Sequence, residues 1–236
     1  MKKKLVILDM GSTYTDLQER IGDFSEWIYE KVPKDLQTST AIVSHSDFPH
    51  YARSHEISGL LITGSHDMVT DPNESHARCF ETIQNLLTTQ PYLPVFGICY
   101  GHQLLAHLLG GKAAAKPEGP EIGLKEISFI ANDDEIFGSY SKREVAFYCV
   151  HYQCAEVLPP GAKVFASSEQ EKHHAFRIRN CWGVQFHPEF PKEADLFYER
   201  VNSPIDGIEK RLLQIQEEYV DNDLIAKFCR FAAGLN

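Results

Sequence analysis

The chain has 236 residues, of which 43% are hydrophobic and 24% charged, which excludes an intrinsically disordered protein and suits one large α/β domain. A formal net charge of −10 disfavours nucleic acid as a partner, because such a protein repels phosphates. Its apolar runs are too short for a membrane span or a secretory signal, so we expect a cytoplasmic protein with reduced cysteines and no membrane partner.

The first half of the chain alternates between strand-like and helix-like segments. Buried strands are predicted at residues 4–9, 40–44, 59–63 and 93–98. Helices are predicted at residues 16–32, from 71 to about 88, and at 100–109. Asp71 is expected to cap the second of these helices, with Pro72 in its first turn. This order implies a mostly parallel central sheet with helices on both faces.

The pattern changes after residue 122. Strands with short connections are predicted at residues 124–130, 145–151, 163–168, 175–179 and 182–186. They indicate an antiparallel extension of the same sheet, and apolar stripes then predict helices between residues 192 and 235. We therefore expect a flavodoxin-like three-layer α/β sandwich. Residues 1–190 would form the domain, and residues 191–236 a helical extension packed on it.

A cysteine lies at the sharpest predicted turn of the chain. Cys99 follows the strand that ends at Ile98 and precedes the helix that begins at Tyr100, with Gly97 and Gly101 nearby. Such a strand-to-helix turn exposes its central residue at the carboxyl end of the sheet, and glycines leave room for the close approach. The positive end of the helix dipole favours a thiolate there. Cys99 is therefore a candidate nucleophile.

A base and an orienting carboxylate are predicted at the end of a later strand. His187 and Glu189 flank Pro188 directly after the strand at residues 182–186. Side chains two apart in an extended segment point the same way, so Glu189 can bind one ring nitrogen while the other faces Cys99. His187 can then accept the thiol proton and protonate a leaving group. Without Cys99, the same pair would also suit a surface position or a metal site.

The remaining cysteines and several histidines are assigned structural roles. Buried, reduced thiols are expected at Cys79, Cys149, Cys154, Cys181 and Cys229. His173 and His174 lie in a charged stretch and are expected at the surface, whereas His102 and His107 are expected to pack against or cap the helix after Cys99. Paired cysteines with zinc-site spacing are absent from the sequence, so no metal is expected.

These motifs resemble a known family. The segments at residues 97–103 (GICYGHQ) and 186–189 (FHPE) are similar to the signature segments of class I (triad) glutamine amidotransferases, especially free-standing proteins like the glutaminase domain of GMP synthase. The resemblance covers nearly all of the chain up to about residue 190. It implies a catalytic triad of Cys99, His187 and Glu189, with no metal or organic cofactor.

The resemblance also implies roles for two other segments. Residues 59–66 (GLLITGSH) are similar to the family's glycine loop, which implies an oxyanion hole formed by the backbone N–H groups of Gly64 and Tyr100. Residues 151–153 (HYQ) are similar to a segment whose backbone binds the α-amino and carboxylate groups of the substrate. The implied substrate-binding residues are Ser65, Gln103, His151, Tyr152 and Gln153. The family's loop often reads Gly-Gly-Pro, and close relatives often carry Asp at the position of residue 153.

The implied reaction is hydrolysis of the γ-carboxamide of glutamine to glutamate and ammonia through a γ-glutamyl thioester on Cys99. The sequence lacks a GxxxxGK[ST] phosphate loop that would indicate a synthetase domain of its own. Three interpretations stay open: a glutaminase subunit that serves a synthetase or acceptor subunit, a free-standing γ-glutamyl peptide hydrolase, and a non-catalytic binding protein. A homodimer is also left open. The segment at residues 186–189 disfavours a cysteine-elbow hydrolase or chaperone of the broader superfamily.

Overall fold

The computed structural model describes residues 3–131 and 133–235, which form a large mixed sheet, a small sheet and surrounding helices. The strands are β1 (Lys4–Asp9), β2 (Thr40–Ser44), β3 (Ile57–Ile62), β4 (Val95–Ile98), β5 (Lys112–Ala115), β6 (Glu121–Phe129), β7 (Glu144–His151), β8 (Gln153–Val157), β9 (Lys163–Ser167), β10 (Ala175–Ile178) and β11 (Cys181–Val184). The helices are α1 (Thr15–Ile21), α2 (Phe24–Lys31), α3 (Lys34–Gln37), α4 (Phe48–Ser54), α5 (Glu74–Thr89), α6 (Tyr100–Leu108), α7 (Lys192–Asn202), α8 (Ile208–Glu218) and α9 (Leu224–Ala232).

The large sheet has the strand order β2-β1-β3-β4-β11-β10-β9-β6-β7. The strands from β2 to β11 in this order are parallel, and those from β10 to β7 continue antiparallel. The antiparallel extension consists of β10, β9, β6 and β7, whereas β11, which was predicted to belong to it, pairs in parallel with β4. The carboxyl ends of β3, β4 and β11 consequently meet at one edge of the sheet, where ligands bind in open α/β sheets.

A small sheet of β5 and β8 was not predicted. The two strands pair antiparallel, with Ala113 opposite Ala155 and Ala115 opposite Gln153. Both strands pack against α6. The short alanine run of β5 carries no alternation of polar and apolar residues, so its pairing depends on the partner strand rather than on its own pattern.

Apolar clusters cover both faces of the large sheet. On one face, Ile28 of α2 and Phe228 of α9 belong to the same buried cluster. On the other face, Ile83 of α5 and Leu104 of α6 belong to a second cluster. A third cluster includes Tyr198 of α7, so C-terminal helices take part in burial. Of the helices in the described ranges, none is both long and apolar enough to cross a membrane.

Two helix starts differ from the prediction. The helix expected at residues 16–32 is two helices, because Gly22 adopts a φ of 83° and Asp23 begins α2 with a capping box to Glu26. The N-cap of α5 is Asn73 rather than Asp71, since the Asn73 side chain accepts a hydrogen bond from the backbone N–H three residues later at 2.9 Å. Each segment contains several polar residues whose side chains could cap a helix. The sequence alone therefore does not show which of them begins it.

Candidate functional site

Cys99 lies at the turn between β4 and α6. Its φ of 49° and ψ of −97° are strained for a residue other than glycine. The turn is held by backbone hydrogen bonds: Cys99 N–H donates to Val184 O at 2.8 Å, and Gln103 N–H donates to Cys99 O at 3.1 Å. A Cβ on Gly97 would lie 2.4 Å from the backbone of Gly101, so glycine is needed for the strand and helix to approach.

His187 and Glu189 follow β11, the strand next to β4 in the sheet. The ring Nδ1 of His187 lies 2.8 Å from Glu189 Oε1, and both side chains are buried. Among the described residues, the second ring nitrogen, Nε2, has no hydrogen-bond partner. The Cys99 thiol donates weakly to Val150 O, with 3.8 Å between sulfur and oxygen. The pair of His187 and Glu189 thus leaves one ring nitrogen free to share a proton.

Gly64 lies close to both the cysteine and the imidazole. A Cβ at this position would be 3.4 Å from His187 Cε1 and 3.9 Å from Cys99 Cβ. Gly64 comes shortly after β3, which pairs with β4, and β4 in turn pairs with β11. Three neighbouring parallel strands therefore bring together residues that are far apart in sequence.

Nearby negative charges favour the protonated form of His187. Burial alone would lower the pKa of the ring, but the charges of Glu189 and Cys99 outweigh burial and raise this pKa to about 10. The imidazolium form of His187 is therefore favoured at neutral pH, and it can donate a proton inside the site.

Asp195, in the first turn of α7, is a further buried carboxyl close to the imidazole. Burial, together with the charge of Glu189, raises its pKa well above the usual range, although His187 acts in the opposite direction. Within the described part of the chain, Asp195 Oδ1 has no hydrogen-bond partner. The raised pKa of Asp195 disfavours a second negative charge beside His187.

A cavity of about 230 Å³ opens beside Cys99. The predicted site residues that line it are Ser65, Cys99, Tyr100, Gln103, His151, Tyr152, Gln153 and His187. Glu189 binds the far side of the His187 ring, and Gly64 lies beside Cys99 and His187. The structure therefore brings every predicted site residue to one place, although their chemical roles remain predictions.

The polar end of the cavity is formed by Gln103 and residues 151–153. Gln103 Nε2 donates to Gln153 O at 2.7 Å and to Gln185 Oε1 at 3.1 Å, so both of its N–H groups are in use. Its side-chain oxygen is then the group that a ligand can use as an acceptor. The Gln153 side chain donates to Thr70 Oγ1 at 2.6 Å. The Tyr152 side chain is 48% exposed, which places it at the mouth.

An aromatic wall of Tyr14, His66 and Tyr198 lines the cavity and was not predicted. Tyr198 Oη lies 2.8 Å from His66 Nε2 and 2.8 Å from Thr13 Oγ1, and Tyr14 Oη donates to Asn202 Oδ1 at 3.3 Å. Tyr14 follows β1, a parallel strand, and ligands bind at the carboxyl ends of such strands. Its position in the sequence could therefore have predicted that it lines the cavity. Tyr198 and Asn202 come from α7, and helical spacing does not show which residues of a helix reach a cavity.

His174 is buried, and the prediction of a surface position was wrong. Its Nε2 lies 3.2 Å from Glu121 Oε2, and His173 is half-buried. The charged stretch folds inward because Glu171 forms a buried ion pair of 2.9 Å with Lys116. A local excess of charge predicts exposure only while those charges lack partners inside the protein.

Within the described ranges, a buried cluster with the spacing of metal ligands is formed by Glu121, Cys149 and His174, whose possible ligand atoms lie within 4.8 Å of one another. The Glu121 oxygens, however, already accept a hydrogen bond from Ser168 at 2.9 Å and face His151 Nε2 at 2.8 Å. Burial also raises the pKa of Cys149 well above its usual value, which favours the thiol over the thiolate that metals bind. The arrangement therefore suits a hydrogen-bond network better than a metal site.

Comparisons with known sequences point to one family. Residues 7–196 match the family model described as Glutamine amidotransferase class-I. The GMP synthase [glutamine-hydrolyzing] of Porphyromonas gingivalis is 31% identical over 196 residues, which make up 80% of this chain and 33% of that protein. The chain thus spans about a third of the length of the curated GMP synthases that it matches.

Comparisons with solved structures show the same fold. A glutamine amidotransferase of Thermotoga maritima has a TM-score of 0.68 at 18% identity, covering 98% of this chain and 99% of that one. A glutamine amido transferase of Methylobacillus flagellatus has a TM-score of 0.69 at 18% identity, covering 100% and 96%. The predicted flavodoxin-like α/β sandwich, with its mostly parallel sheet and antiparallel extension, is confirmed.

Proposed function

Because the chain belongs to the class I glutamine amidotransferase family, we propose that it hydrolyses the γ-carboxamide of glutamine to glutamate and ammonia. One observation carries this proposal. Cys99 lies on a strained turn at the N-terminus of α6 and lines the same cavity as His187, whose ring is bound on its other side by Glu189. The cysteine, the base and the orienting carboxylate of a nucleophilic mechanism are all within one site.

In the first step, the Cys99 thiolate attacks the γ-carbonyl carbon of the substrate. A carbon–sulfur bond forms, and the carbonyl electron pair moves to oxygen. The backbone N–H groups of Gly64 and Tyr100 donate to this oxyanion; losing one such donor typically costs about 3 kcal/mol. Two features support these roles: Gly64 lies beside Cys99, and Tyr100 is the first residue of α6.

In the second step, His187 protonates the amide nitrogen and ammonia leaves. The product is a γ-glutamyl thioester on Cys99. A water molecule then loses a proton to His187 and attacks the thioester, which releases glutamate and restores the cysteine. Glu189 holds the ring in the orientation that both proton transfers need and stabilises its charged form, as its 2.8 Å contact with Nδ1 supports.

Substrate binding is assigned to the polar end of the cavity. We expect the side-chain oxygen of Gln103 to accept a hydrogen bond from the α-ammonium group, with Ser65 and residues 151–153 around the α-carboxylate. The volume of about 230 Å³ is below the roughly 300–1,000 Å³ of sites for drug-sized ligands, which suits an amino acid amide.

A γ-glutamyl peptide or other N-substituted γ-glutamyl amide is a second candidate substrate, and the aromatic wall favours it. Tyr14, His66 and Tyr198 line the cavity together with Cys99 and offer aromatic surface in addition to the polar groups proposed to bind the glutamyl part. A substituent on the amide nitrogen could pack there. A synthetase or acceptor subunit that uses the ammonia remains part of this proposal, since the matched segment makes up only 33% of the related GMP synthase.

The test is an assay of purified protein with glutamine and with a γ-glutamyl dipeptide, reading ammonia or amine release. We expect turnover of at least one substrate and its loss in Cys99→Ala. The control is Cys79→Ala, which removes a buried thiol of α5 that does not line the cavity. Mass spectrometry should find a glutamine-analogue chloroketone bound to Cys99 in the wild type.

The outcomes separate the candidate functions. Faster turnover of the dipeptide than of glutamine would favour the peptide hydrolase, and co-purification with a synthetase would favour the subunit. Equal activity of wild type and Cys99→Ala on every γ-glutamyl compound would exclude the mechanism. Ligand binding without turnover would identify a binding protein.

A further inference from the structure

His151 and Gln103 bind the same backbone carbonyl at the polar end of the cavity. Gln103 Nε2 lies 2.7 Å from Gln153 O, and His151 Nδ1 lies 2.9 Å from the same oxygen. A carbonyl oxygen can only accept, so Nδ1 of His151 carries a hydrogen. This carbonyl is therefore held between two donors, and its position determines where Gln103 lies.

Glu121 binds the second ring nitrogen of His151 from behind. Nε2 lies 2.8 Å from Glu121 Oε2, and a proton must lie between them, because two lone pairs would otherwise face each other. Ser168 donates to the other carboxylate oxygen at 2.9 Å, and His174 Nε2 lies 3.2 Å from Oε2. Burial would raise the pKa of Glu121, but the hydrogen bonds from His151 and His174 hold it below its usual range.

This hydrogen-bond network connects the fully buried carboxylate of Glu121 to the side chain of Gln103, which is proposed to bind the ligand. Gln103 uses both N–H groups inside the protein, on Gln153 O and Gln185 Oε1, which leaves its oxygen for the ligand. Glu121 lies behind His151, on β6 directly opposite it on β7. The chain of contacts thus runs from Glu121 through His151 and the carbonyl of Gln153 to Gln103.

We propose that Glu121 is a positioning residue for substrate binding, which acts through His151 to fix the Gln153 carbonyl and thereby the side-chain oxygen of Gln103. This inference rests on the proposed function, in which that oxygen accepts a hydrogen bond from the α-ammonium group. Among the described residues, the hydrogen bonds of this network join groups at the polar end, and none of them is made to the His187 ring or to the Cys99 thiol. Disturbing Glu121 should therefore weaken binding and leave the reactivity of Cys99 unchanged.

The variant Glu121→Gln tests this inference. A carboxylate accepts on both oxygens, here from Ser168 on one and from the two histidines on the other. An amide has one accepting oxygen, so the network must lose a contact although the side chain keeps its shape. If a thermal melt shows that Glu121→Gln does not fold, the test uses Glu121→Asp instead. This variant keeps the charge, but its side chain is one methylene shorter.

The readout is covalent labelling of Cys99 with two reagents. A glutamine-analogue chloroketone needs the polar end, whereas iodoacetamide has no α-ammonium group. In Glu121→Gln we expect half-maximal labelling by the chloroketone to need about 10-fold more reagent, the factor that one lost hydrogen bond of about 1.4 kcal/mol represents. The maximal labelling rate and the iodoacetamide rate should match the wild type. In a Gln103→Ala background, Glu121→Gln should add no further loss.

The matched control is Asp134→Asn. Asp134 is also a buried carboxylate, bound by Arg177 at 2.7 Å and by Trp182 Nε1 at 3.1 Å, and like Glu121 it does not line the cavity; Glu121 instead binds His151, which does line it. We expect Asp134→Asn to lower the free energy of unfolding without changing the labelling of Cys99 by either reagent.

Three outcomes would overturn the inference: chloroketone binding like that of the wild type in Glu121→Gln, an equal loss with iodoacetamide, or a loss that adds fully to that of Gln103→Ala. A wild type that the chloroketone does not label would instead contradict the proposed glutamine site itself, and this inference with it.

Discussion

At the scale of single residues, the protonation of His187 results from opposing effects. Burial disfavours the imidazolium, and the charges of Glu189 and Cys99 favour it strongly enough to raise the pKa of the ring to about 10. Burial also raises the pKa of Asp195, which disfavours a further negative charge beside the ring. The proton that the leaving ammonia needs is thus already on His187 at neutral pH.

Removing the charge of Glu189 should shift the pH dependence of the reaction. We expect the wild-type kcat/KM to fall as pH rises towards about 10, because His187 then loses the proton that the leaving group needs. Glu189→Gln lowers the pKa of His187, so the alkaline limb should move to lower pH by at least about one unit. Glu193→Gln, at a half-exposed carboxylate of α7, should leave the profile unchanged. An unchanged alkaline limb in Glu189→Gln would contradict this account of His187.

At the scale of secondary-structure elements, the turn between β4 and α6 depends on close packing of backbone. Gly97 meets the backbone of Gly101, and a Cβ on Gly101 would lie 2.6 Å from the carbonyl oxygen of Ile62. The strained φ of Cys99 persists because the strand and the helix are both fixed against their neighbours. The position of the thiol is consequently a property of two packed elements rather than of the cysteine itself.

An added methyl group in this turn should be costly. Gly97→Ala places a Cβ against backbone that cannot rotate away, and we expect the free energy of unfolding to fall by roughly 1–3 kcal/mol. Gly64→Ala is the stability control, because its Cβ would have an ordinary contact of 3.4 Å; its unfolding free energy should change by no more than about 0.5 kcal/mol. Urea unfolding of both variants gives the comparison. Equal stabilities would show that the turn can relax.

At the scale of the whole molecule, C-terminal helices belong to the packing of the sheet. Phe228 of α9 is buried in the same cluster as Ile28 of α2, and its ring centroid lies 5.4 Å from that of Phe96 on β4. Tyr198 of α7 lines the cavity. The division into a domain of residues 1–190 and an extension stays a prediction, and α9 offers a direct way to test how the two depend on each other.

Removing the Phe228 side chain should destabilise the sheet as well as the helix. Phe228→Ala empties a fully buried ring site, which typically costs about 3–5 kcal/mol. Leu213→Ala, at a side chain of α8 that is 53% exposed, should cost no more than about 0.5 kcal/mol. Thermal unfolding followed by circular dichroism should show one cooperative transition for Phe228→Ala. An early separate transition would indicate that α9 unfolds independently.

Local patterns were enough to predict much of the fold and to select the residues that line the candidate site. The strands β1, β2, β4 and β11 are short apolar runs, and two signature segments contain Cys99, His187 and Glu189. The small sheet of β5 and β8 escaped prediction, because a run of alanines has no distinctive periodicity. His174 was misplaced because its environment depends on Glu121 and Lys116, which are distant in sequence.

The sequence by itself determined the alternation of strands and helices, the cysteine at a strand-to-helix turn and the family, because each of these depends on neighbouring residues along the chain. Only the tertiary structure decided that β11 lies beside β4, that α7 supplies Tyr198 to the cavity, and that Glu121 stands behind His151. The physical reason is that strand order, burial and hydrogen-bond partners depend on contacts between distant segments, whose free energies are summed over the whole fold.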